Sequence, residues 1–478
     1  MAETTPDPRR WWALGLIALA QFMVIMDTSI IGVALPAMQR DLGFSPGDLS
    51  WVFNAYVVAL AGLLLLGGRL SDLFGARKMF TAGWVVTLGG SVVAAVAGTA
   101  WVELLGRVLQ GAGAALIAPS ALTLLMMLFG ARPRELTKAL ALYGAAAPAG
   151  GTAGVFLGGV ITEWLSWPWI FWLYVPISLV AVLATGKLMP PAPVRRGSVD
   201  LAGAVAVTAG LGLTVFGVVR APEAGWGSAG TWGALAGGVA LLAVFVAIQR
   251  KREVPLVRLG IFRTPNLGGA NLAQFLLGAA WIPMWYFLNL YLQQVLGYGA
   301  FASGAALLPM TVLIVVLMVA VAPRLIGRFG PKKMIIGGLW ALAAGLVWLS
   351  FVSPTGNFVV DVLPASLVAA LGQALAFIPS LGTAISSAKP EEGGLASGIV
   401  NTSYQIGSAL GLAAMTAVGV SFGAGRIGDP VALTGGYSAA FLGAAGIAIA
   451  GGFLAMATLR TPAPEPSEAV GGDPAVQR

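Results

Sequence analysis

Long apolar runs, each broken by a short charged or turn-rich segment, recur along the whole chain. The first runs from Trp11 to Ala34, 24 residues with a single charge at Asp27. A helix needs about 20 such residues to cross a hydrocarbon core. Runs of this kind predict helices at 11–34, 50–68, 79–98, 101–125, 139–161, 169–188, 201–220, 230–249, 267–293, 303–322, 333–353, 359–381, 395–421 and 436–458. Their ends are read to within about 2 to 4 residues. The runs do not alternate apolar and polar residues in ten-residue stretches, as the strands of a membrane barrel would. The expected class is an all-α polytopic membrane protein with fourteen transmembrane helices.

The charged breaks test that count. Of 27 Lys and Arg, only Arg40, Arg220 and Arg426 fall opposite the N-terminal side, Arg107 falls inside a span, and the others share the N-terminal side. Cytoplasmic loops carry the excess of Lys and Arg. Both termini are therefore expected in the cytoplasm, and the protein in the cytoplasmic membrane. One missed or invented helix would move every later loop to the wrong side. No cleavable signal is expected, because MAETTPDPRR leads straight into a full-length span.

Composition narrows the chemistry. The chain is 58% hydrophobic and 10% charged, with 66 glycines, no Cys and no His. Small residues let helices approach closely in lipid. Disulfides, metal ligation through Cys or His and imidazole proton relays are excluded, and no metal site or cofactor is expected. The formal charge of +8 is explained by loops on one side of a membrane, so no nucleic-acid partner is expected. There is no GxxxxGK[ST] loop for ATP, and no buried nucleophile and base for an intramembrane enzyme. The expectation is a transporter rather than an enzyme.

An internal repeat appears at an offset of 255 residues, where the loop Leu70–Lys78 aligns with Leu325–Lys333. It divides the chain into a six-helix half at 1–190, an inserted two-helix hairpin with linkers at 191–265 and a second six-helix half at 266–458, and the remaining residues, 459–478, are expected to form a disordered cytoplasmic tail. Such parallel repeats point to a transporter with its site near the midplane between the halves. In the second copy Gly327 stands where the first has Asp72.

Asp27 is the chemical anomaly, since an acid in a span costs about 2.5 to 3.5 kcal/mol on insertion scales and is ordinarily kept for use; a carboxyl merely hydrogen-bonded within the bundle and a counter-ion to cationic cargo are the other readings. Arg107 is expected at the same depth: counted from Ala34 and Trp101, both lie about 9 to 10 Å in from one face at 1.5 Å per residue. Burial disfavours the ionised acid whereas a nearby guanidinium favours it, so a changing separation would load and release a proton. Polar and aromatic residues available to line a path are Gln21, Asn54, Tyr56 and Gln110 in the first half. In the second they are Asn271, Gln274, Trp281, Trp285, Tyr286, Asn289, Gln373, Asn401 and Gln405. Trp281 and Trp285 share a helical face, as do Asn401 and Gln405; for the tryptophans a packing or lipid-facing role stands beside contact with cargo. Glu103 and Asp361 begin their spans, and interfacial solvation is expected to account for both.

Several motifs carry a resemblance. Gly68-Arg69-Leu70-Ser71-Asp72, followed by Gly75, Arg77 and Lys78, resembles the GxLxDxxGxRK gating loop of the major facilitator superfamily. MDTSIIGVALP in the first span, the RxxQG pattern at Arg107 to Gly111 and the Tyr291-Leu292-Gln293-Gln294 stretch resemble its fourteen-span drug:H+ antiporter family. The antiporter-type glycine motif is matched by Gly150, Gly154, Gly158 and Gly159, with Val155 where Pro is usual; ordinary small-residue packing is the other reading of these glycines. The resemblance implies the major facilitator fold, with two extra central helices. It also implies export of small hydrophobic cationic or neutral drug-like or antibiotic compounds in exchange for protons, with Asp27 and Arg107 as the proton-coupling pair. An exporter of a lipid or specific metabolite is the alternative.

Overall fold

The computed structural model describes residues 9–460 apart from 131, 192–198, 254 and 389–392. Residues 461–478 of the expected tail, most of the first linker, and Arg195, Arg196, Lys389 and Arg478 lie outside the described residues. Every predicted span is helical, and among the described residues 14 helical spans are long and apolar enough to cross a membrane. The helices are α1 (Arg10–Leu42), α2 (Trp51–Phe74), α3 (Ala76–Ala95), α4 (Ala100–Phe129), α5 (Pro133–Trp164), α6 (Pro168–Leu188), α7 (Leu201–Ala224) and α8 (Ala229–Lys251). They continue as α9 (Leu267–Leu290), α10 (Ala300–Val316), α11 (Ala322–Phe329), α12 (Pro331–Leu349), α13 (Leu363–Ser387), α14 (Gly393–Gly419) and α15 (Pro430–Thr458). A π turn at Leu317–Val321 joins α10 and α11 into one span.

The first helix corrects the sequence reading. It does not stop near Ala34 but runs through Pro36 to Leu42, 33 residues in all. Its polar last turns, with Gln39, Arg40 and Asp41, break the apolar run before the helix ends. The helix terminates where Gly43 adopts φ 69 and gives its N–H to the Gln39 carbonyl, the left-handed ending that glycine allows. The depth estimate for Asp27 measured from Ala34 therefore used a point inside the helix.

Packing follows from close backbone approach. α1 lies on α5, α4 lies between α2 and α3, and α3 also meets α6. Later in the chain α9 packs against α13, α14 and α15, while α12 packs against α13 and α15. The two sets meet where α5 lies on α10 and α2 on α14, and α7 rests against α2, α8 and α14. A Cβ on Gly90 would stand 2.8 Å from the Gln110 nitrogen, and one on Gly113 would stand 2.7 Å from the Gly83 carbonyl. With no hydrophobic drive between helices in lipid, such van der Waals contact supplies the cohesion.

The repeat has a conformational counterpart. Gly75 ends α2 at φ 90, ψ 133, and Gly330 ends α11 at φ 79, ψ 157. Both occupy a region that side chains disfavour, at the same register of the two loops. On the same side of the bundle as these loops, Asn266 starts α9 and accepts the Arg460 N–H at 2.6 Å while donating to the Arg460 carbonyl at 3.1 Å, which ties the start of α9 to the end of α15.

Candidate functional site

Asp27 and Arg107 meet inside the bundle formed by α1, α2, α3, α4 and α6. Arg107 Nη2 lies 2.6 Å from Asp27 Oδ1, with both side chains buried. The rest of the guanidinium is also engaged: Nε donates to the Val52 carbonyl at 2.9 Å and Nη1 to Gln110 Oε1 at 2.8 Å. Gln110 passes its own N–H to Ser91 at 2.9 Å, and Ser91 donates to the Thr87 carbonyl at 2.7 Å. The Tyr56 ring stacks at 4.7 Å from the guanidinium carbon. The side chain is thus fixed by planar, directional contacts that a lysine would not reproduce. Removing one partner of such a pair leaves an uncompensated buried charge, which costs about 3 to 5 kcal/mol. Neutralising Asp27 would leave the Arg107 guanidinium as that charge.

A small void, with room for about one water molecule, lies beside the pair, lined by Asp27, Tyr56, Gln110, Tyr174, Trp84, Thr87 and apolar residues of α1 and α4. Of the sequence candidates, the structure brings Asp27, Tyr56, Gln110 and Arg107 together here. Gln21 lies elsewhere on α1 and accepts from Tyr143 at 2.8 Å. Asn54 is fully buried with neither amide atom hydrogen-bonded.

The second-half candidates form separate groups. Trp281, Trp285, Tyr286 and Asn289 are buried on α9, so the tryptophans face protein rather than lipid. A Cβ on Gly32 would stand 3.1 Å from both Trp285 Nε1 and Asn289 Nδ2, so this glycine lets α9 close onto α1 little more than a turn beyond Asp27. Asn271 accepts from Ser403 at 2.9 Å, and Gln274 donates to the Phe377 carbonyl at 3.0 Å. Gln373 is buried, with Oε1 unpartnered. Gln405 is half-buried, whereas Asn401, one turn earlier, is exposed and donates to the Ser397 carbonyl of its own helix.

The glycine motif of α5 forms a seam. Gly154 and Gly158 each place a hypothetical Cβ 2.8 Å from a carbonyl of α1, those of Met26 and Ile30, and Gly150 abuts the Phe22 carbonyl. Gly159 faces across to α10, 2.9 Å from the Ala300 carbonyl. The seam therefore grips α1 on both sides of Asp27. In the loop between α2 and α3, Gly68 and the partly buried Asp72 lie in α2, Gly75 makes the turn, Lys78 is exposed, and Arg77 donates to the Gly186 carbonyl of α6 at 2.7 Å.

Two features escaped the sequence reading. Glu103 is not solvated at an interface: it is fully buried, and neither carboxyl oxygen has a hydrogen-bond partner. Asp361, by contrast, is half-buried and accepts the Asn357 N–H at 2.6 Å. Gln293 and Gln294, on a π turn at Tyr291–Val295, reach across to α1: Gln293 donates to the Val33 carbonyl at 2.9 Å and Gln294 to Gln39 at 3.0 Å. Adjacent glutamines ending an apolar run were the available signal, but their partner was not legible.

Comparison with known proteins yields concordant matches. The family model described as Major Facilitator Superfamily matches residues 17–412. The cephamycin export protein CmcT of Amycolatopsis lactamdurans is 40% identical over 91% of this chain and 89% of its own. The puromycin resistance protein pur8 of Streptomyces alboniger is 36% identical over 89% of this chain and 84% of its own. Among solved structures, the POT family transporter PepTSo superposes with a TM-score of 0.69 at 14% identity, covering 95% of this chain and 98% of that one, a likeness of fold alone.

Proposed function

The chain belongs to the major facilitator superfamily, and we propose that it is a proton-coupled antiporter exporting small hydrophobic cationic or neutral compounds of antibiotic type across the cytoplasmic membrane. The observation that carries this reading is the buried pair of Asp27 and Arg107 at 2.6 Å, surrounded by aromatic and apolar groups. An intramembrane acid is costly unless it is used, and this one has a partner that a proton would displace. The relatives named for cephamycin export and puromycin resistance support cargo of drug size.

Alternating access then works as follows. With α1 joined to the end of α9 through Gln293 and Gln294, the side away from the chain ends is held shut, and cargo enters once the other side, where Leu66 of α2 clusters with Ala396 and Ile399 of α14, parts. Rocking of the helix sets opens the closed side, a proton arrives at Asp27, and the pair with Arg107 breaks. Protonation and cargo binding compete for one carboxylate, which is the thermodynamic content of exchange. The test is transport in proteoliposomes under an imposed pH gradient, with ethidium as a cationic probe, puromycin, a neutral aromatic compound and an organic anion. Acceleration of ethidium or puromycin export by the gradient is expected. Transport indifferent to the gradient for every compound would overturn antiport.

A further inference from the structure

Glu103 stands one turn before Arg107 on α4, on the same helical face, with no exposed surface and no hydrogen bond to either oxygen. The guanidinium turns its bonds elsewhere, to Asp27, Val52 and Gln110. An ionised carboxylate in such a place is so costly that the group takes up a proton instead. The charges acting on it are Arg107 and, from α1, Asp27; α2 adds the Tyr56 phenol stacked on the guanidinium. The charged residues of α3, Arg77 and Lys78, belong to its first turn, far along the helix from Ser91. Asp41 and Asp48 are held by Trp167 and Ser45.

Two carboxyls and one guanidinium share this interior, and neutrality requires one proton among them. We propose that Glu103 is a second proton-binding carboxyl of the site and the alternative counter-ion of Arg107. It holds a proton while Asp27 pairs with the guanidinium and gives the proton up when Asp27 becomes protonated. In the exchange an O–H bond forms at Asp27 and one breaks at Glu103, so the three groups sum to zero charge in both states. The buried cation is never left alone, which lowers the cost of breaking the Asp27 pair at each turnover. The placing of this swap within a transport cycle rests on the proton-coupled reading above; the swap itself does not.

Infrared spectroscopy of the purified protein at neutral pH reads the proton directly. The wild type should show a protonated-carboxyl band that Glu103→Gln removes and Glu103→Asp keeps. Asp27→Asn should remove it too, because Glu103 then ionises to serve Arg107. A wild type without the band, or an unchanged band in Glu103→Gln or in Asp27→Asn, overturns the proposal. Thermal unfolding supplies the second reading: combining Asp27→Asn with Glu103→Gln strips Arg107 of both counter-ions. The double variant should lose more in Tm than the two singles together, or fail to fold where both singles fold; additive losses overturn the proposal. Neither measurement involves transport. Ethidium transport indifferent to pH in the wild type would therefore sink the antiport reading alone, and a coupled wild type lacking the band would sink this proposal alone.

Discussion

Gln294 donates to Gln39 across 3.0 Å, and the two stand 255 residues apart, the offset at which Leu70–Lys78 aligns with Leu325–Lys333. Residues at one register of a sequence repeat thus touch each other, as equivalent positions do where a twofold axis passes between them. Tyr437 donates to the same Gln294 at 2.6 Å, and Gln293 reaches the Val33 carbonyl at 2.9 Å. The cluster closes one end of the bundle, the end away from both described chain ends.

Loosening that closure should shift the resting population. A net hydrogen bond contributes about 0.5 to 1.5 kcal/mol, so Gln294→Ala should raise the open fraction by roughly 2- to 10-fold at RT of about 0.6 kcal/mol. The chain contains no Cys, which allows Val33→Cys to be labelled without interference. Faster labelling by an impermeant thiol reagent in the Gln294→Ala background is expected. Equal rates would show that the amide contact holds nothing shut.

The closure also shows what sequence can and cannot reveal. Helix number follows from apolar run length and from the alternation of charged loops, both local properties, and the Asp27–Arg107 meeting followed from two charges that each needed a partner in an apolar interior. Gln39 was unreadable because it lies past the apolar run, in the part of α1 beyond Pro36 that hydropathy does not mark. Glu103 was misread for a related reason: a residue in the first turn of a span faces water or neighbouring helices depending on tertiary packing, and here α4 sits between α2 and α3. Asn401 and Gln405 do share a face by spacing, yet Asn401 is exposed and bonds within its own helix. Spacing fixes a face but not what covers it.

The α5 seam should be intolerant of a single methyl. Gly154→Ala would put Cβ 2.8 Å from the Met26 carbonyl and 2.9 Å from Ser29 Cβ, backbone and β-carbon positions that cannot swing aside. Overpacking of this kind costs about 1 to 3 kcal/mol. Gly144→Ala on the same helix meets nothing within 4 Å and serves as the control. A lower Tm and reduced ethidium export for Gly154→Ala alone are expected; equal behaviour of the two variants would mean that α1 and α5 separate without cost.

The loop between α2 and α3 should act on rate. Asp72 lies partly buried in the last turn of α2, on the other side of Gly75 from Arg77, which is anchored on α6 at 2.7 Å. A side chain in that position is expected to bias which gate state is populated without touching cargo. Asp72→Asn should lower the turnover of ethidium export by several-fold while leaving its equilibrium binding within about twofold. Loss of binding in step with transport would contradict a gating role.

Asp27→Asn is the decisive substitution for coupling. The amide keeps the size of the carboxyl and can still accept from Arg107 Nη2, now 2.6 Å from Asp27 Oδ1, but it cannot take up a proton at any physiological pH. The guanidinium also keeps its bonds to Val52 and Gln110, so the variant should fold and insert. If Asp27 is the proton carrier, export driven by a pH gradient should vanish for ethidium and for neutral cargo alike, while exchange of internal for external ethidium continues, because exchange needs no net proton movement. If Asp27 instead serves as counter-ion to cationic cargo, ethidium transport should fail in both modes and a neutral compound should remain responsive to the gradient. Measuring the two probes in both modes on one reconstituted preparation separates these outcomes. Gradient-driven export of both probes at wild-type rates would remove Asp27 from the coupling machinery, since the second half of the repeat has Ile282 at the equivalent position and offers no carboxylate to take its place there.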